Sequence, residues 1–94
     1  MSYRLVFTDS YNKKAAKWIK KHPSLRDQYL KTLQLMELDI QHPSLRLHKL
    51  TGKLSGLSSV SINMSYRITL ELIIQDNDII LINVGSHDEV YRGR

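Results

Sequence analysis

The chain has 94 residues, no cysteine and a formal charge of +5 with its histidines neutral. That length fits one small domain, 1–94, and the missing thiol excludes disulfide scaffolds, iron–sulfur clusters, cysteine nucleophiles and cysteine-based zinc sites. No apolar run exceeds four residues, as in 79–82, so neither a signal peptide nor a membrane span is expected and the expected location is the cytoplasm.

The charge is unevenly placed. Residues 1–49 carry ten Lys/Arg against four acids, and residues 50–94 carry four against five. Between Lys13 and Lys31 seven bases meet one acid, Asp27. Such a distribution suits a polyanion or an acidic protein partner, and it equally suits a solvated helix face.

In chain order, Tyr3 to Phe7 is aromatic and branched and reads as a short strand. Asp9 or Ser10 is placed to cap a helix whose apolar positions are Tyr11, Ala15, Trp18 and Ile19. Pro23 ends it near His22, because proline disfavours helical geometry in the residue before it. Ser24 and Asp27 have the form of a capping box for a second helix. Its buried stripe is Leu25, Tyr29, Leu33, Met36 and Ile40, widened by Leu30 and Leu38, and Pro43 closes it. The pentapeptide His22–Arg26 recurs as His42–Arg46, but its surroundings do not repeat, so both copies read as helix-stop and turn chemistry rather than a solenoid.

From Leu57 the period changes to two. Val60 and Ile62 alternate with serines, Ile68, Leu70 and Leu72 alternate with Arg67, Thr69 and Glu71, and Asp76–Asp78 supplies a turn. Ile79 to Val84 is nearly all apolar and suggests an interior strand, and Ser86 to Tyr91 is a terminal turn or helix. The expected architecture is α+β in the order β-α-α-β-β-β: a four-stranded, antiparallel-rich sheet with an N-terminal helical hairpin on one face. The opposite face, bearing Ser59, Ser61, Asn63, Arg67 and Thr69, is expected to stay open.

Several catalytic motifs fail on spacing. Gly52–Gly56 puts its serine one place late for a nucleophile elbow, and Gly52-Lys53 is followed by Leu54, so no phosphate-binding P-loop forms. The four histidines include no pair at metal-ligand spacing, so neither a metal nor a cofactor is expected. His22 and His42 each precede a proline at a helix end and read as structural, whereas His48 and His87 lie in connecting segments where functional groups concentrate. The Arg67 guanidinium fork matches a phosphate or, alternatively, pairs with Glu71. Tyr91 either stacks on a base or closes the core.

Leu47–Leu57, Tyr66-Arg67 and the ending Val84-Gly85-Ser86-His87-Asp88-Glu89-Val90-Tyr91 together resemble the RelE/ParE superfamily of bacterial toxins, and within it the RelE-type mRNA endoribonucleases of type II toxin–antitoxin modules. The resemblance runs from Tyr3 to Tyr91 and implies a RelE-like fold. It also implies metal-free cleavage of messenger RNA in the ribosomal A site, inhibition of translation, and neutralisation by a cognate antitoxin in a hetero-oligomer. It gives His48 the base position, Arg67 the phosphate-stabilising position, His87 the acid position and Tyr91 a terminal aromatic near the scissile base. Lys49 and Lys53 would hold flanking RNA phosphates, and the helix lysines ribosomal RNA. Imidazoles exchange protons near neutral pH, so two of them suffice for both proton transfers. Relatives with this ending often carry a histidine and an aspartate where this chain has Ser61 and Ser65. The alternatives are a ParE-type DNA gyrase inhibitor without chemistry of its own, and a catalytically degenerate antitoxin-binding member.

Overall fold

A computed structural model describes residues 3–91. Strand β1 (Arg4–Val6) leads into helix α1 (Asp9–Lys21) and helix α2 (Arg26–Leu38). Then come β2 (His48–Lys49), β3 (Ser58–Ser61), β4 (Tyr66–Ile73), β5 (Asp78–Ser86) and the short helix α3 (His87–Tyr91).

The helices form where the periodicity placed them, but their ends differ. The N-cap of α1 is Thr8, whose hydroxyl accepts from the Tyr11 N–H at 3.1 Å, so Asp9 is the first helical residue rather than the cap. Ser24 does not cap α2: the chain first makes a 3-10 turn over Pro23–Leu25, and no side chain bonds the free amides at Leu25. The second copy of the pentapeptide makes the same turn, over Pro43–Leu45. Proline presets the φ of such a turn at its first position. Helix α2 stops at Leu38, before Pro43, because Asp39 swings to φ −160° and its carboxylate accepts from the Gln41 N–H. That break folds Ile40 back into the core. Leu30 and Leu38 do not widen the buried stripe; they are exposed, Leu38 by 69%.

The sheet has five strands, not four, in the order β1-β5-β4-β3-β2. The additional strand is β2, which pairs His48 with Ser59 and Lys49 with Ser58; two residues are too few to show any period. Strand β1 runs parallel to β5 and every other pairing is antiparallel. The apolar segment 79–84 is therefore interior, as its composition suggested.

The main core lies between α1, α2 and one sheet face. Tyr11, Trp18, Tyr29, Leu33 and Met36 meet Val60, Ile68, Leu70, Ile79 and Leu81 there. Inside it the Tyr11 and Tyr29 hydroxyls share a 2.7 Å hydrogen bond. Burial, first of all, pushes both phenols above the ordinary tyrosine value. Neither hydroxyl is left without a partner, which would cost about 1–3 kcal/mol.

The second sheet face is not open. Ser59 is fully buried and Thr69, Ser61 and Asn83 are nearly so: α3 folds back across β4 and β5, the Tyr91 hydroxyl reaches Ser59 Oγ, and Arg67 reaches Ser61 Oγ. Asn63 is not on the sheet; its side chain accepts from the Ser65 and Tyr66 amides and closes the turn between β3 and β4. The sequence reading missed the cover because a five-residue helix carries too little periodicity to be assigned a face.

Candidate active site

The site is set by strand register. His48 stands opposite Ser59, Ser59 opposite Thr69, and Thr69 opposite Asn83. One row along, roughly 7 Å away, Ser61 stands opposite Arg67 and Arg67 opposite Gly85. Directly opposed residues share a face, so the base candidate and the arginine candidate project from the same side of the sheet. Gly85 is followed at once by Ser86 and α3, which carries His87 and Tyr91.

His48 is held in a defined tautomer. Arg46 adopts the left-handed conformation, φ 51°, and its carbonyl lies 3.2 Å from His48 Nδ1. A carbonyl only accepts, so Nδ1 carries the proton and Nε2 of the neutral ring is an acceptor. Tyr91 Oη lies 3.3 Å from that Nε2 and 2.9 Å from Ser59 Oγ. The network thus assigns one direction: Ser59 donates to Tyr91, Tyr91 donates to His48, and His48 donates to the Arg46 carbonyl. His48 itself is exposed and sits on β2, not in the loop expected for it.

Arg67 donates from Nη1 to Ser61 Oγ at 2.9 Å, while its buried Nε has no partner. Its alternative pairing with Glu71 is absent among the described residues. His87 opens α3 and is well exposed, with its ring set edge-on to Tyr91 at 4.1 Å between centroids. Its Nδ1 stands 3.8 Å from the Asp88 carboxylate. Lys49 and Lys53 line, with His48, Thr51 and Tyr91, a surface cavity of about 430 Å³. Tyr91 is therefore the hub: one ring touches both histidines, a serine and the lysine-lined cavity.

The other histidines are structural. His22 is the C-cap of α1, and its ring packs tilted against Trp18 and Tyr66 with centroids at 5.1 and 4.6 Å. His42 accepts the Ser44 amide with its Nδ1. Among the described residues no group of three or more His, Asp or Glu is placed to hold a metal ion, and no helix is long and apolar enough to cross a membrane.

Three participants escaped the sequence reading. The Arg46 carbonyl left no signal beyond a turn. Ser59 was assigned to an open polar face rather than to a buried hydrogen bond. The third, Glu89, did leave a signal: Ser86-x-x-Glu89 is a capping box. Ser86 N–H donates to Glu89 Oε1 at 2.8 Å and Glu89 N–H to Ser86 Oγ at 3.3 Å. The Ser86 amide holds the Glu89 carboxyl below the ordinary glutamate value, with Lys21 and His22 adding to the effect.

This arrangement of helices and mixed sheet is the RelE-like α+β fold. The chain superposes on a chain of the Escherichia coli DinJ–YafQ toxin–antitoxin complex with a TM-score of 0.75 and 14% identity, covering 97% of this chain and 99% of that one. For the RelBE2 toxin–antitoxin complex of Mycobacterium tuberculosis the TM-score is 0.63 and the identity 18%, over 93% and 100%. A conserved hypothetical protein from Helicobacter pylori gives 0.73 and 23%, over 96% and 99%. No family model and no curated protein matches the chain in sequence.

Proposed function

We propose that this chain is the toxin of a type II toxin–antitoxin module, an endoribonuclease that cleaves messenger RNA in the ribosomal A site. The observation that carries the reading is the directed chain from Ser59 through Tyr91 and His48 to the Arg46 carbonyl, which leaves His48 Nε2 as the acceptor at the rim of a lysine-lined cavity. In the reaction the RNA 2′-hydroxyl takes the place of the Tyr91 hydroxyl at His48 Nε2 and gives its proton to that nitrogen, and the 2′-oxygen attacks the adjacent phosphorus. The bond from phosphorus to the 5′-oxygen breaks, and His87 supplies the proton that oxygen needs. The products are a 2′,3′-cyclic phosphate and a 5′-hydroxyl. Arg67, half-buried and held at Nη1 by Ser61, neutralises the non-bridging oxygens as their charge grows. Lys49 and Lys53 hold flanking phosphates, and the lysine face of α1 binds ribosomal RNA.

Ser61 fills the place where relatives often carry histidine, and here its hydroxyl orients Arg67. This division of labour puts acid and base on His48 and His87 and charge stabilisation on Arg67. The proposed protein partner is an antitoxin, as in the DinJ–YafQ complex.

A reconstituted ribosome carrying an mRNA with a defined A-site codon tests the reading. Wild type is expected to cut the message and His87→Ala to cut it about a hundred-fold more slowly or worse, the range for losing a general acid. Intact message with wild type would contradict the ribonuclease reading and turn attention to gyrase supercoiling.

A further inference from the structure

Helix α3 carries two of the site residues on only five residues, far too few to hold a helix by backbone bonds alone. Val90, buried to 1% exposure, anchors one side of it. The other side is anchored by Glu89. Its carboxylate takes the Ser86 N–H, and its own N–H returns to the Ser86 hydroxyl. The same side chain lies directly over Gly85, where a Cβ would stand 2.9 Å from Glu89 Oε1 and 3.1 Å from its Cβ. Gly85 is the strand partner of Arg67. Lys21 and His22 of α1 line the same cleft as Glu89, and His87 and Asp88 are its charged or titratable neighbours on α3.

We propose that Glu89 is a positioning residue: its reciprocal cap at Ser86, seated on the bare backbone of Gly85, fixes the angle at which α3 presents His87 and Tyr91 to His48 and Arg67. The inference rests on the ribonuclease reading for what the presented residues do, and on the contacts alone for how they are held. Without the carboxylate the Ser86 amide loses its acceptor and α3 turns about its Val90 anchor. The His87–Tyr91 contact and the bond from Tyr91 to His48 then loosen together.

The test compares Glu89→Ala, Glu89→Gln and Gly85→Ala by single-turnover cleavage on programmed ribosomes and by NMR of the His87 ring protons. The glutamine amide oxygen still accepts from Ser86, so Glu89→Gln is expected within about three-fold of wild type. Glu89→Ala is expected to lose about ten-fold or more in the maximal single-turnover rate with the half-saturating concentration unchanged, because misplacing groups by an ångström costs rate rather than binding. Gly85→Ala is expected to match Glu89→Ala, since its methyl displaces the same carboxylate. In both alanine variants the His87 protons should lose the ring-current shift that Tyr91 imposes, while Glu89→Gln retains it. Glu89→Ala with the wild-type single-turnover rate and wild-type His87 shifts overturns the proposal. Should wild type not cleave at all, the ribonuclease reading fails, and the His87 shifts alone decide the positioning role: loss in Glu89→Ala upholds it and retention overturns it.

Discussion

Arg67→Ala is expected to lower the single-turnover cleavage rate by about a hundred- to a thousand-fold, the usual loss when a donor aimed at developing charge is removed. The expectation follows from how this arginine is held. One nitrogen is committed to Ser61, which fixes the plane of the fork, and Nε is buried with no protein acceptor. A phosphate oxygen is an acceptor of the right charge for the part of the guanidinium that stays exposed. Arg67→Lys should recover less than a tenth of the activity, because an ammonium cannot hold Ser61 and a phosphate in one plane. Arg67 is only half-buried and lies outside the main apolar core, so Tm should move little in either variant. An Arg67→Ala protein that cleaves at the wild-type rate would remove the arginine from the chemistry.

The largest stability effect is expected at Ile68. It is fully buried on β4, opposite Val60 on one side and Val84 on the other, and it faces the helices across the core. Ile68→Ala removes three carbons where neighbouring strands cannot collapse to fill the space, a change that costs about 2–5 kcal/mol. For a domain of this size that corresponds to a Tm lower by at least roughly 8 °C. Leu38→Ala, at an exposed position of α2, serves as the control and should leave Tm nearly unchanged. Equal shifts at the two positions in thermal unfolding would mean that the core is not where the sheet register puts it.

Periodicity made most of the fold legible. The stripe Tyr11, Ala15, Trp18 repeats every three to four residues and the alternation of Ile68 and Leu70 every two, and each marks the side that is buried. Helix ends were read less well, because several residues compete to cap the same amides: Thr8 takes the role that Asp9 or Ser10 could have filled. Short elements fared worst. Strand β2 is defined by where His48 and Lys49 meet Ser59 and Ser58, a long-range fact that two residues cannot announce.

The candidate residues could be named from the sequence, but their connections could not. His48, Arg67, His87, Tyr91, Lys49 and Lys53 could be named from motifs. That Tyr91 bridges His48, His87 and Ser59 depends on α3 folding back over the sheet, and tertiary closure of that kind has no local signature. The misreading of the Ser59 face as open comes from the same cause: a polar strand face looks identical in sequence whether it meets water or a short capped helix. The Ser86–Glu89 box is the exception, a local pattern whose consequence for the site emerges only once Gly85 is seen opposite Arg67.

The measurement that tests the central claim most directly is the chemistry of the cut ends. RNA fragments from wild-type protein on programmed ribosomes would be analysed by mass spectrometry. Attack by the 2′-hydroxyl, with His48 Nε2 as base, requires a 2′,3′-cyclic phosphate on one fragment and a 5′-hydroxyl on the other, with His48→Ala yielding neither. Fragments ending in a 3′-hydroxyl and a 5′-phosphate would show that water, not the neighbouring hydroxyl, attacks phosphorus, and would contradict the account.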